Sequence, residues 1–182
     1  MKALIVVDFT NDFVDGNLPV GEPAVEIQHT VAELTKAYAD RGDFVVMAVD
    51  LHEEGDLYHP EAKLFPPHNI RNTRGRQLYG ELEEVYEARK DKIYWMDKTR
   101  YSAFCGTDLD VKLRERGISE IHLIGVCTDI CVLHTAVDAY NRGYSLKIYE
   151  DAVASFNPEG HHWALSHFKG SLGASVVQSG DN

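Results

Sequence analysis

The chain has 182 residues, a formal net charge of −11 at pH 7 and 44% hydrophobic residues. This length suits one domain with a sizeable core, and the hydrophobic fraction is too high for a disordered protein. The acidic balance argues against nucleic acid or an anionic membrane surface as a partner, because both would repel a negatively charged protein.

The sequence predicts a cytoplasmic protein. Neither a secretory leader nor an apolar run of membrane-spanning length is visible. Three cysteines are an odd number and make no disulfide framework, so we expect reduced thiols. Cys105 does not lie at the start of a predicted helix, and we expect it to be structural or incidental. The number of subunits is left open, a homo-oligomer included.

Short apolar runs alternate with helical patterns along the chain, starting with a strand directly after Met1. This alternation predicts a three-layer α/β fold with a mostly parallel central sheet, in one domain over residues 1–182. The predicted strands are 3–7, 44–49, 93–96, 121–124, 145–149 and 174–177, and the predicted helices are 24–41, 79–89, 108–116, a segment starting at 130, and 158–168.

A long irregular stretch, residues 53–76, interrupts the alternation and contains three prolines. Loops of this length in a compact domain are usually functional or disordered, and its hydrophobic residues argue against disorder. No GxGxxG or P-loop pattern follows any predicted strand, which weakens a nucleotide-binding function.

Three predicted strands are followed by residues that can carry nucleophilic chemistry: Asp8, Lys98 and Cys131. The carboxyl ends of parallel strands share one edge of a sheet, so these side chains can meet there. Cys131 is predicted in the first turn of a helix, where N–H groups and the helix dipole favour a thiolate. Asp8 can take its proton, and Lys98 can hold the resulting charge.

Each of these residues also has a structural interpretation when taken alone. Asp8 can be a turn or helix cap, Lys98 a solvated lysine, and Cys131 a small buried residue between helix and sheet. Phe13 and Leu18, in the loop after the first strand, are either core residues or an apolar wall for a substrate.

A second polar group combines the D-x-H at the end of the second strand with residues of the long loop. Mixed nitrogen and oxygen ligands suit a divalent first-row metal such as zinc, manganese or iron, although the same side chains can serve as hydrogen-bonded caps. Spacing does not exclude the neighbouring His59 and Glu53. The candidate ligands are Asp50, His52, Glu61 and His68.

Motifs along nearly the whole chain carry a family resemblance. They are VVDFTNDF, DLH, HPE, FPPHN, KTRYSAF and GVCTDICV. With them the chain resembles the nicotinamidases of the isochorismatase-like cysteine hydrolase family. The resemblance implies hydrolysis of nicotinamide to nicotinate and ammonia through a cysteine thioester, with pyrazinamide as a close analogue.

The same resemblance implies roles for individual residues. Asp8, Lys98 and Cys131 would form the catalytic triad, with the backbone N–H groups of Cys127 and Cys131 as the oxyanion hole and a cis peptide before Cys127. One divalent ion, usually zinc, would be held by Asp50, His52, Glu61 and His68, although some relatives use only three side chains and differ at the position of Glu61. The ring pocket would be walled by Phe13, Leu18, Phe65 and Tyr101.

Two other functions are compatible with these motifs. One is a related metal-free hydrolase of an acyclic amide such as an N-carbamoyl amino acid, and the other is a ligand-binding relative that has lost its chemistry. Four further polar residues, Asp151, His161, His162 and His167, are assigned to caps, the surface or packing.

Overall fold

The computed structural model describes residues 1–181, and a six-stranded sheet forms its centre. The strands are β1 (Ala3–Val7), β2 (Phe44–Asp50), β3 (Ile93–Lys98), β4 (Glu120–Val126), β5 (Ser145–Ala154) and β6 (Ser175–Val177). The helices are α1 (Asn11–Val14), α2 (Glu22–Arg41), α3 (Glu81–Glu87), α4 (Leu109–Glu115), α5 (Leu133–Asn141) and α6 (Pro158–Gly170). None of the helices in the described part of the chain is both long and apolar enough to cross a membrane.

Helices cover both faces of the sheet, and the predicted three-layer α/β fold is confirmed. All five residues of β1 are buried, because alternate side chains enter opposite cores. Ile5 packs in the core that contains residues of α4, α5 and α6, whereas Leu4 packs in the core with residues of α2 and α3. A strand buried on both sides therefore has a continuous apolar sequence.

The strand order is β3-β2-β1-β4-β5-β6, and every neighbouring pair is parallel. The order reverses between β1 and β4, so the connections leaving these two strands diverge and open a crevice at their carboxyl ends. Gly125 of β4 lies opposite Val7 of β1 with a φ of +110°. A Cβ at Gly125 would collide with the Val7 backbone, so glycine allows the two strands to approach here.

Some predicted boundaries were wrong where polar residues continue a strand. β3 extends to Lys98 because it pairs with β2 up to the Asp50–Lys98 position. β5 extends to Ala154, so Glu150 and Asp151 lie within the strand, and its pairing with β4 shifts register near Gly125. Backbone pairing with a neighbouring strand, which hydropathy does not encode, decides these ends.

A buried polar network joins α2 to the sheet through His122 of β4. The His122 Nε2–H donates to Glu120 Oε1 at 2.6 Å, and Nδ1 accepts from the Tyr38 hydroxyl, which also bonds the Tyr149 hydroxyl at 2.6 Å. This arrangement fits a neutral imidazole, because protonation would remove the Nδ1 acceptor. Burial lowers the pKa of His122, and the attraction of Glu120 offsets this only in part.

His122 should therefore make the folded protein sensitive to acid. Since its pKa is lower when folded than when unfolded, the stability it contributes is present above the unfolded value and is lost as pH falls through the folded one. The difference in free energy of unfolding between wild type and His122→Gln should shrink from about pH 7.5 to about pH 5. Urea unfolding at each pH measures it.

His29 provides a control of opposite sign. A hydrogen bond to Glu81 raises the pKa of this surface histidine, so its contribution is present at low pH and fades as pH rises. The difference between wild type and His29→Gln should therefore change in the other direction. A pH-independent effect of His122→Gln would contradict the neutral, buried imidazole.

Candidate active site and metal centre

Lys98 lies fully buried at the crevice, between two carboxylates. Its Nζ is 2.8 Å from Asp8 Oδ2 and 2.7 Å from Asp50 Oδ1. It also donates to the Arg100 carbonyl at 3.2 Å and lies 3.5 Å from Cys131 Sγ. The two carboxylates raise the pKa of Lys98 despite the opposing effect of burial, so the amine is an ammonium ion.

Asp8 immediately follows β1 and has a φ of +52°, a left-handed conformation that is uncommon for residues other than glycine. This backbone directs its carboxylate towards the ends of β2 and β3, where Oδ1 accepts a hydrogen bond from the Asp50 N–H at 2.8 Å. Burial raises the pKa of Asp8 to about 6, against the opposing charge of Lys98. The carboxyl group can therefore both accept and release a proton near neutral pH.

Cys131 lies in the first turn of a helix, as predicted, but this turn, Thr128–Val132, is π-helical. π-Helical turns are common at functional sites, and α5 begins only at Leu133. Burial raises the pKa of the Cys131 thiol although Lys98 acts in the opposite direction. Burial thus works against the expected thiolate, and the thiol needs a base such as Asp8.

Two side chains of this turn bind neighbouring elements. Thr128 Oγ1 lies 2.8 Å from His161 Nδ1 on α6, and Asp129 Oδ1 accepts from the Ser155 hydroxyl at 2.6 Å. His161 therefore bonds to this turn, which is compatible with its assignment to caps, the surface or packing. The peptide bond between Val126 and Cys127 is cis, as the resemblance implied.

The candidate metal centre lies beside Asp8, Lys98 and Cys131. Its four residues each offer one ligand atom, and these atoms all lie within 4.8 Å of one another. Asp50 belongs to both groups: Oδ1 binds Lys98, whereas Oδ2 lies 3.3 Å from His52 Nε2. The residues are Asp50, His52, Glu61 and His68.

His68 provides a test of whether these residues fit an ion. Its Nδ1–H donates to the Pro66 carbonyl at 2.8 Å, so Nε2 is the ring nitrogen that remains for an ion. Nε2 is buried without a hydrogen-bond partner in the described residues and is 3.4 Å from Glu61 Oε2. A ring held by a carbonyl at one nitrogen, with the other directed at carboxylates, is typical of a metal-bound histidine. The donor set could hold one divalent ion.

The two residues that spacing left open, His59 and Glu53, are not part of the ligand group. His59 Nδ1 accepts from the Glu61 N–H at 3.2 Å and Nε2 bonds the Thr99 carbonyl at 2.6 Å, so both ring nitrogens are occupied. Glu53 is exposed and pairs with Arg71. His59 therefore supports Glu61 as a hydrogen-bonded neighbour.

A small apolar cavity lies against Cys131. All four predicted pocket residues line it, and Ile130 and Phe156 join them, which the sequence interpretation missed. Cys127 and Glu61 also line this cavity, so an occupant would lie beside the thiol and one candidate ligand. The predicted wall residues are Phe13, Leu18, Phe65 and Tyr101.

Arg76 is a further supporting residue that the sequence interpretation missed. Its Nε donates to the Asp50 carbonyl at 2.7 Å and one terminal nitrogen donates to the Val49 carbonyl at 3.2 Å. It thus satisfies the last carbonyls of β2, just where Asp50 leaves the sheet. No local signal marks this arginine, because its contacts are 26 and 27 residues away along the chain.

Residues 2–181 match the family model of the isochorismatase domain. The chain belongs to the isochorismatase family. Among solved structures, nicotinamidase/pyrazinamidase PncA from Bacillus subtilis is 60% identical, with a TM-score of 0.96 over 98% of this chain and 100% of that chain.

Two more distant structures of similar fold differ in activity. Pyrazinamidase of Pyrococcus horikoshii, in complex with zinc, is 34% identical with a TM-score of 0.86, covering 97% of this chain and 98% of that one. N-carbamoylsarcosine amidase from Thermoplasma acidophilum is 32% identical with a TM-score of 0.86, covering 100% and 99%. A similar fold therefore does not by itself decide the substrate.

Replacement of Lys98 by Met should lower the free energy of unfolding by about 3–5 kcal/mol, because it leaves buried carboxylates without a cation. Lys90→Met is the matched control, since Lys90 pairs with Glu87 at 2.6 Å on the surface. Its loss should cost much less than the loss of Lys98, because water and salt screen an exposed ion pair. Urea unfolding of both variants tests this, and equal costs would be inconsistent with a structural ion pair at Lys98.

Proposed function

We propose that this protein is a metal-dependent amidohydrolase that converts nicotinamide to nicotinate and ammonia, and that it also accepts pyrazinamide. The observation that carries the proposal is the shared position of Asp50. It joins Lys98, which contacts Asp8 and Cys131, to the ligand group of His52, Glu61 and His68. Similarity to the nicotinamidase/pyrazinamidase of Bacillus subtilis supports the same substrate.

In the proposed mechanism Asp8 acts first as a general base. It takes the proton of the Cys131 thiol, and the thiolate attacks the carboxamide carbon of the substrate. Lys98 stabilises the negative charge on sulfur from 3.5 Å. A base is required here because burial raises the pKa of the thiol.

The tetrahedral intermediate then collapses to a thioester. We assign its oxyanion to the backbone N–H groups of Cys127 and Cys131, a contribution typically of about 3 kcal/mol. Asp8 returns its proton to the departing ammonia and next activates the water that hydrolyses the thioester to nicotinate. The raised pKa of Asp8, about 6, suits both transfers.

Ring orientation determines whether the carboxamide reaches Cys131. Apolar contacts with Phe13, Leu18, Phe65 and Tyr101 would wall the pyridine ring. A divalent ion, which we infer to be zinc, would be bound by the four candidate ligands and would supply a Lewis-acidic partner for the ring nitrogen. The zinc complex of the Pyrococcus relative supports this choice over manganese or iron.

The rival substrate is an N-carbamoyl compound, as in the Thermoplasma relative. Its carboxylate would need a cationic partner, whereas the cavity is lined by apolar residues and Glu61. The other alternative is a ligand-binding relative without catalytic activity, and the contacts among Asp8, Lys98 and Cys131 argue against it.

We also propose a single domain and a cytoplasmic location, where the free thiols would stay reduced. Residue 182 lies outside the described residues.

Cys131→Ala should lower the rate of ammonia release from nicotinamide by at least about 10³-fold, because it removes the nucleophile. Cys105→Ala, at an exposed cysteine, is the control and should keep the wild-type rate. Release of ammonia from an N-carbamoyl amino acid is measured in parallel. Near-wild-type turnover by Cys131→Ala would refute the nucleophile, and preference for the carbamoyl substrate would refute nicotinamide.

Treatment with a chelator should abolish activity, and zinc should restore it. Glu61→Gln should weaken zinc binding about 10-fold or more, because a charged ligand is lost from the centre. Glu53→Gln, at an exposed glutamate nearby in the chain, should bind zinc as wild type does. Zinc content after dialysis and activity with added zinc are the measurements, and identical behaviour of the two variants would remove Glu61 from the ligand set.

A further inference from the structure

Asn69 is a fully buried residue that directly follows the candidate ligand His68. Its φ of +47° places it in the left-handed region, which asparagine tolerates better than most residues. Neither the sequence motifs nor the proposed chemistry gives it a role. Its contacts nevertheless reach three of the four candidate metal ligands.

The first set of contacts links Asn69 to the D-x-H segment. Its side-chain amide Nδ2 donates to the Asp50 carbonyl at 3.4 Å, and its backbone carbonyl accepts from the His52 N–H at 3.1 Å. Since His68 is its neighbour in the chain, Asn69 connects the end of β2 to the histidine of the long loop.

The second set of contacts holds Asn69 itself. The Thr10 hydroxyl donates to its Oδ1 at 3.0 Å, and Asp12 Oδ2 accepts from its backbone N–H at 2.8 Å. Thr10 and Asp12 are buried and lie in the segment that follows Asp8. Gly75 packs so closely against the Asp12 carboxylate that a Cβ there would collide with it.

These bonds tie together three segments that are remote in sequence: the turn after β1, the end of β2 and the loop at His68. Each polar atom of Asn69 named above has a hydrogen-bond partner. A buried network that is satisfied in this way favours a single conformation. Groups that hold metal ligands in position typically change metal affinity about 10- to 100-fold when removed.

We propose that Asn69, held by Thr10 and Asp12, is a positioning residue that fixes the spacing of Asp50, His52 and His68 and thereby sets the affinity for the divalent ion. The proposal rests on the metal centre of the proposed function. It goes beyond that function by assigning the affinity to residues that are not ligands.

The test is a zinc titration of metal-free protein in competition with a chromophoric chelator. Asn69→Gly keeps the positive φ and the backbone bonds but loses both side-chain bonds, so its Kd for zinc should rise about 10- to 100-fold. Thr10→Val replaces one hydroxyl by a methyl group of similar size, so its Kd for zinc should rise about fivefold.

Thr35→Val is the matched control. Thr35 is as fully buried as Thr10, and its hydroxyl donates to the Val31 carbonyl within α2 at 2.7 Å, away from the metal ligands. Urea unfolding of the metal-free forms should show a loss of stability in both threonine variants, whereas only Thr10→Val should lose zinc affinity. This comparison separates positioning from general destabilisation, and it needs no folded Asn69→Gly protein.

Two results would overturn the proposal, and they are distinguishable. Wild-type zinc affinity in Thr10→Val, or equal losses in Thr10→Val and Thr35→Val, would reduce the network to a structural role while leaving the proposed function intact. A wild-type protein that binds no zinc would remove the metal centre and this inference together.

Discussion

The buried ammonium of Lys98 is the interaction on which the site depends. Two carboxylates at less than 3 Å from one amine cannot stay ionised in a protein interior without that charge. Asp8 and Asp50 come from adjacent strands, and Lys98 comes from the next, so the ion pair also fixes how β1, β2 and β3 end. One cation thereby holds the candidate base, a candidate metal ligand and the candidate nucleophile within reach of each other.

The two carboxylate oxygens of Asp50 contact different parts of the site. One oxygen binds Lys98 and so belongs to the Asp8–Lys98–Cys131 group, whereas the other faces His52 and the candidate metal centre. Its backbone is also fully used, because the N–H donates to Asp8 and the carbonyl accepts from Arg76. A substrate that touches both centres would therefore be oriented by a single rigid unit, which is the condition for precise positioning of a carboxamide.

The topology explains why the site lies here. The strand order reverses between β1 and β4. Asp8 follows β1, and Cys127 and the π-helical turn of Cys131 follow β4. Gly125 lets the two strands approach at this point. The long loop then covers the crevice, with Glu61 and His68 directed inward and its exposed residues, such as Glu53, outward. The fold supplies the crevice, and the loop supplies two of the candidate metal ligands, Glu61 and His68.

Much of this was predictable from sequence because a parallel sheet has a fixed geometry. Buried apolar runs alternating with helices determine the α/β class, and polar residues that follow such runs must meet at the carboxyl edge, as Asp8, Asp50 and Lys98 do.

Other features depend on contacts between residues far apart in the chain, which no local pattern encodes. Backbone pairing with β2 extends β3 to Lys98, hydrogen bonds to His161 and Ser155 hold the π-helical turn of Cys131, and bonds with Thr10 and Asp12 hold Asn69. Spacing left Glu53 and His59 open beside Glu61 and His68, which the family resemblance named. Only the tertiary structure supplies a physical ground for that choice, because Glu53 is exposed and both ring nitrogens of the buried His59 already have hydrogen-bond partners.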